Sequence, residues 1–313
     1  MEKQLWYTLL AMLAASPAVL VNRALALRGE DWLATATVRY CWAVIMLSGV
    51  VRLQFGPTAA KQLTALFRQH QNFWILWCLI NGPLLYVSCV YLTTQAPAWV
   101  VSTLWNCNLP VAIAVMSVFR QPLSKRSTFP LIVMFFGVVM ISAEHVRAVG
   151  GGWHELFRLW PVLIVLVFEA LGNQLYQDAS TARKNRVVWV PAINEGIGKS
   201  IHAWLLILYA MAIPQMAVWQ LFHPAMPTLV QVRYTGVVVF FTVVVSGYFW
   251  ALARREAGTS SHRFGLLHAS PAVGIVVTLI GEVTVLHAPW PGSLGLGGMV
   301  AIAAGFFIYL RSP

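Results

Sequence analysis

The chain has 313 residues, 59% of them apolar and only 10% charged, with a mean hydropathy of +0.71. A soluble domain ordinarily carries about a quarter charged residues, so this composition excludes one large soluble core and implies many membrane spans of roughly 20 apolar residues each. The formal net charge of +11 is spread in short clusters flanking the apolar runs, which excludes a basic nucleic-acid-binding domain.

Splitting the chain at charges and turn residues gives ten apolar stretches, at 5–27, 33–55, 73–94, 98–119, 128–143, 159–178, 189–213, 232–253, 264–281 and 292–310. None shows the period-two alternation of membrane strands, so a barrel is rejected and an all-α integral membrane protein of ten transmembrane helices is expected. The first stretch is too long for a signal-peptide core and has only Lys3 before it, so it reads as a retained span. It ends near Asn22 and Arg23, and Arg23 is close enough to the outer end to snorkel. Arg39 lies two turns into the second stretch, where it can pair with Glu30 or Asp31 or guard the outer mouth.

The third and fourth stretches carry Tyr86, Tyr91, Trp99 and Trp105 with Asn81, Asn106 and Asn108 between them. Most aromatic residues of a membrane protein form interfacial belts. Tyr86 and Trp105 lie deeper, with Asn106 beside them, and offer cation–π contacts to an organic cation. Pro110 falls inside the fourth stretch, followed by Gln121 eleven residues later.

An ionisable group inside a span costs a few kcal/mol if it faces lipid, so each is a candidate site. In the sixth stretch Glu169 follows WPVLIVLVF, with Asn173 at i+4 and Tyr176 at i+7 on the same helical face. That face presents a carboxylate, an amide and a ring to a cavity; the plain alternative is a structural Glu bonded to a neighbouring helix. The seventh stretch carries Glu195, Lys199 and His202. As a helical i,i+4 pair Glu195 and Lys199 neutralise each other; alternatively they hold the amine and carboxylate of a solute. His202 titrates near neutrality if accessible, or is simply packed. In the last two stretches Pro271 is followed eleven residues later by Glu282, and Gly297, Ala301 and Gly305 form a small-residue stripe suited to close helix packing, internal or between two copies. Cys41, Cys78, Cys89 and Cys107 lie in apolar stretches without ligand spacing, so neither disulfide nor metal is expected. No nucleophile elbow, phosphate loop or metal motif is present, so no catalytic residue and no cofactor is expected.

Orientation follows from basic residues in short loops. With the N-terminus inside, the inner segments hold Lys3, Arg52, Lys61, Arg68, Arg120, Lys125, Arg126, Arg183, Lys184, Arg186, Arg254, Arg255, Arg263 and Arg311, against Arg28, Arg147 and Arg158 outside. Both termini are therefore expected in the cytoplasm, with the chain in the inner (plasma) membrane. This charge count also supports an even number of spans, and an internal repeat follows. Aligning Pro110 with Pro271 brings Gln121 onto Glu282 and Pro97 onto Gly258, and Gly137-VVMIS matches Gly305-FFIYL after a seven-residue insertion. Two halves, 1–150 and 151–313, each of five spans, must insert in opposite orientations. Such inverted repeats around a midplane site mark secondary transporters.

These residues resemble the drug/metabolite transporter superfamily, as an EamA-like ten-helix member. Pro271, Gly281-Glu282 and the glycines from Gly292 to Gly305 match its typical half, whereas Arg120-Gln121 departs from its Gly-Glu turn in the first half. Asn22-Arg23 before Asp31-Trp32 and Arg39-Tyr40, LGNQLY at 171–176 and LIGEVTVL at 279–286 are similar to the branch named for multidrug-resistance efflux. The resemblance implies export of a small cationic or zwitterionic solute by alternating access, coupled to protons as an antiporter, in a monomer or homodimer. The competing readings are a facilitative or uptake carrier for a polar metabolite, and a subunit of a membrane enzyme or lipid flippase.

Overall fold

The computed structural model describes residues 2–81, 83–105, 125–150, 161–181, 190–257 and 271–311, together with residues 111, 115 and 267. Among the described residues all regular elements are helical: α1 (Glu2–Ala15), α2 (Pro17–Leu27), α3 (Trp32–Phe55), α4 (Ala59–Gln69), α5 (Gln71–Asn81), α6 (Pro83–Gln95), α7 (Ala98–Trp105), α8 (Lys125–Val149), α9 (Pro161–Ser180), α10 (Ile201–Phe222), α11 (Leu229–Val239), α12 (Ser246–Ala257), α13 (Pro271–Val285) and α14 (Ser293–Arg311). Six helical runs are long and apolar enough to cross a bilayer: Lys3–Leu27, Trp32–Phe55, Gln71–Gln95, Thr128–Ala148, Ile201–Phe222 and Leu229–Ala257. The other four apolar stretches of the sequence each hold a helix, α7, α9, α13 and α14.

Local chemistry explains the breaks. Pro17 has no N–H to give, and the Ser16 hydroxyl donates to the Met12 carbonyl at 2.7 Å, so α1 and α2 form one run with a bend. Asp31 caps α3 by accepting from the Ala34 N–H at 2.7 Å. Thr228 and Gln231 form a reciprocal capping box at the start of α11. Between the second and third spans, where the sequence offers only a basic loop, α4 is an amphipathic helix whose Leu63, Leu66 and Phe67 pack onto the core while Lys61 stays exposed.

One span contains a π-helical segment, Phe240–Val245, between α11 and α12. The wider turn frees carbonyls from the usual ladder. His202 takes one of them: its Nε2 donates to the Val244 oxygen at 3.2 Å, while its Nδ1 accepts from the Gln54 amide at 3.2 Å. The Gln54 oxygen in turn accepts from Ser200 at 2.9 Å, which fixes this amide orientation and hence the imidazole tautomer.

Helix pairing is specific. α8 packs closely along α14, α3 along α10, and α7 along α13. α1 packs against α12, and α9 against α5 and α6. The α8–α14 contact needs glycine. A Cβ on Gly298 would stand 2.6 Å from the Gly137 carbonyl oxygen, and one on Gly305 would stand 2.7 Å from the Pro130 oxygen. The small-residue stripe of the last span is thus used inside the chain, with Gly297 against Met140.

Three expectations are corrected. The seventh stretch is not helical at the first of its described residues. Residues 190–195 are non-helical, Gly196 turns the chain at a φ of 50°, Gly196–Lys199 is a 3-10 turn, and α10 starts at Ile201. Glu195 has extended backbone (φ −125°, ψ 156°), so it and Lys199 are not a helical i,i+4 pair; both are exposed and no ion pair joins them. Arg23 does not snorkel: its Nη1 donates to the Thr93 carbonyl at 2.8 Å and its Nε lies 3.8 Å from Glu282. Arg39 pairs with neither Glu30 nor Asp31, because Asp31 is occupied by the α3 cap and by His223 at 2.9 Å, and Glu30 accepts from Thr228.

Candidate functional site: an aromatic cavity with three buried charges

A cavity of about 230 Å³ lies among α3, α5, α6, α7, α9, α10 and α12. At roughly 30 Å³ per water it holds about eight waters, and it is smaller than the ~300–1,000 Å³ of drug-sized sites. Its scale suits a solute the size of an amino acid. Tyr40, Trp77, Tyr86, Trp105, Tyr176, Tyr209 and Trp250 give it aromatic walls, and Arg39, Glu169 and Arg254 give it charge.

The α9 face reads into this cavity as the sequence spacing requires, with Glu169, Asn173 and Tyr176 all lining it. Trp105 hydrogen-bonds the Glu169 carboxyl, and the second oxygen, Oε2, is buried without a partner. Asn173 accepts from Arg254. The same guanidinium lies 4.8 Å from the Tyr176 ring centre and 5.6 Å from that of Trp250, and interacts electrostatically with Glu169. On the opposite wall Arg39 sits 3.7 Å over the Tyr86 ring, and the Tyr86 hydroxyl donates to Asn22 at 3.1 Å. Tight packing fixes α9 against α5. The Trp77 indole donates to the Gly172 carbonyl at 3.0 Å, and a Cβ on Gly172 would run into the Asn81 amide.

Beyond Tyr176 and Arg254 the space continues into a second, more open hollow of about 490 Å³. Gln177, Ser180, Thr181, Asn194, Lys199 and Arg255 line it, and Tyr176 and Arg254 face both spaces.

Of the residues singled out in the sequence, Glu169, Asn173, Tyr176, Tyr86 and Trp105 come together in one cavity. Lys199 belongs to the outer hollow. Glu195 lines neither space, and His202 is buried against the π segment, stacked on Tyr248. Asn106, Pro110 and Gln121 lie outside the described residues, and Pro271 is the first residue of α13. Glu282 is 2% exposed and does not line the cavity: its Oε2 accepts from the Trp99 N–H at 3.0 Å in the first turn of α7, and its Oε1 faces Arg23. It ties α2, α7 and α13 together.

Sequence reasoning missed Arg254, Tyr209 and Trp250 and gave Arg39 a minor part. Arg254 had the look of a loop charge because it stands at the end of an apolar run beside Arg255. Its signal was the helical spacing Gly247–Trp250–Arg254, which continues the cavity face of α12 for one more turn. Without Arg254 the inner segments still hold thirteen basic residues against three.

A family model described as "EmrE: Putative multidrug resistance efflux transporter" matches residues 2–312. The chain is 20% identical over 316 aligned residues to "Uncharacterized protein YjlA" of Bacillus subtilis, covering 96% of this chain and 92% of that protein. It is also 28% identical over 178 residues to an uncharacterized 42.1 kDa protein of Shouchella clausii, encoded beside an intracellular alkaline protease, covering 53% of this chain and 46% of that one.

Proposed function

The chain belongs to this efflux transporter family, a family of transporters rather than enzymes, and on that premise we propose that it is a secondary transporter whose solute binds in the cavity around Glu169. It is a multi-pass membrane protein. The observation that carries the reading is a half-buried carboxylate, one oxygen unpartnered, in an aromatic cavity between helices of both halves of the chain. A carboxylate so placed takes either a proton or the ammonium group of a solute, which is the exchange an antiporter needs.

Helix pairing supports two inverted halves, 1–150 and 151–313. α8 with α14 and α3 with α10 are the fifth and second helices of the two halves, and each packs on its counterpart, while α7 and α13, from the fourth stretch of each half, pack on one another too. The contact of α1 with α12 has its counterpart in that of α9 with α5 and α6. An axis between the halves passes near the cavity, so rocking one half against the other opens it to alternate sides. The loop charges favour cytoplasmic termini, and the outer hollow with Lys199 and Arg255 then faces the cytoplasm, the loading side of an inner-membrane exporter.

The test is proton release. Phenethylamine, an ammonium on a single ring, is added to the detergent-purified protein in weakly buffered solution near neutral pH. Binding is expected to release protons and to strengthen as pH rises, because the carboxylate must be free to receive the ammonium. Glu169→Gln is expected to abolish the release while the protein stays folded. Unchanged proton release in the variant removes Glu169 from coupling.

A further inference from the structure

Arg39 is the charge in the cavity that the proposed exchange leaves unexplained. It is 6% exposed, in the interior of a span, and its Nε and Nη1 are buried without a hydrogen-bond partner. Its surroundings are aromatic: the Tyr86 ring centre lies 3.7 Å from its guanidinium carbon, and Tyr40 and Tyr209 line the same cavity. Among the described residues no carboxylate pairs with it. Glu30 and Asp31 are engaged at the end of α3, Glu282 caps α7, Glu144 accepts from the Gly292 N–H, Asp178 accepts from Gln174, and Glu195 is exposed. Glu169 interacts with Arg254, which also has Asn173 and two rings.

A guanidinium held away from water without a counter-charge is costly, and the cost is recovered when an anion arrives. An internal acid at Arg39 would stabilise the protein more simply; its absence leaves the position free for a ligand. A guanidinium with two free donor nitrogens is the usual partner of a carboxylate, taken in a fork geometry.

We propose that Arg39 is the anion subsite of the cavity, holding the carboxylate of the transported solute while Glu169 receives its ammonium group. This rests on the transporter reading above and narrows it: the solute is a small amphoteric carboxylate with an apolar or aromatic body lying against the cavity's rings, rather than a simple organic cation. The cavity volume of about 230 Å³ suits such a molecule.

The experiment uses three probes that share one body, with quenching of the protein's own tryptophan fluorescence as readout, since Trp77, Trp105 and Trp250 line the cavity. L-phenylalanine carries both groups, phenethylamine lacks the carboxylate and 3-phenylpropionate lacks the ammonium. The purified full chain in detergent is expected to bind L-phenylalanine at least tenfold tighter than phenethylamine, as a charge-assisted hydrogen bond implies. In Arg39→Gln that preference disappears while phenethylamine binding stays within about twofold, and Arg39→Lys restores part of it. The wild-type comparison needs no variant and stands even if Arg39→Gln misfolds. Equal binding of L-phenylalanine and phenethylamine overturns the proposal while leaving the Glu169 reading intact. An acid preference that survives Arg39→Gln also overturns it, as does an Arg39-dependent response to chloride with none to either carboxylate.

Discussion

Glu169 and Glu282 are both acids within apolar helices, and they do different work. Glu282 has its charge spent on the Trp99 N–H and on Arg23, so Glu282→Ala leaves a buried donor and a guanidinium without their acceptor. That loss costs about 1–3 kcal/mol, expected as a lower thermal midpoint in detergent with ligand selectivity unchanged in the surviving fraction. Glu169 lines the cavity and keeps one oxygen without a partner, so Glu169→Gln should leave the midpoint within about a degree and remove proton release. Had the two variants exchanged these phenotypes, the assignment of site and tie would be reversed. Periodicity made Glu169, Asn173 and Tyr176 legible as one face, because four and seven residues on a helix share a side. Arg39 and Arg254 were not legible in the same way. Their importance lies in which partners they lack, and a missing partner is a fact of three-dimensional neighbours.

At the scale of elements, the close α8–α14 contact makes a sharp prediction. Gly298→Ala puts a Cβ 2.6 Å from the backbone oxygen of Gly137, which cannot rotate away, and should cost about 1–3 kcal/mol. Gly49 in α3 has nothing within 4 Å of its would-be Cβ, so Gly49→Ala should be neutral or stabilise by up to about 1 kcal/mol. Equal effects of the two in a thermal-shift series would show that α8 and α14 do not pack as described. The π segment belongs to this scale too. His202→Leu leaves the Val244 carbonyl without its donor and should destabilise the run Leu229–Ala257, seen as faster amide exchange there than elsewhere. Apolar length made the spans readable, but not where a helix starts. The apolar run ending at Ile193, with Ile197 and Ile201 beyond Glu195, reads as helix, yet Gly196 and Gly198 let the chain turn before α10 begins.

For the whole molecule, composition and the Pro110–Pro271 repeat point to a two-half membrane protein, and the family match places the chain among efflux transporters. Counted by stretch, α3 and α10, and α8 and α14, hold corresponding places in the two proposed halves, and those helices pack on one another. The cavity is lined by aromatic rings, Glu169, Arg39 and Arg254; in the proposed arrangement it lies between the two halves, with Glu169 receiving an ammonium and Arg39 a carboxylate. Its outer hollow is basic, through Lys199 and Arg255, which on the proposed reading favours an acidic group on the way to the cavity.

The measurement that tests this account most directly is flux of radiolabelled L-phenylalanine and phenethylamine in proteoliposomes, with and without an imposed proton gradient, for the wild type and Glu169→Gln. The account predicts saturable transport driven by the gradient in the wild type, and its loss in Glu169→Gln at unchanged protein incorporation. Gradient-driven transport that persists in Glu169→Gln, or no protein-dependent flux of either solute, would contradict it.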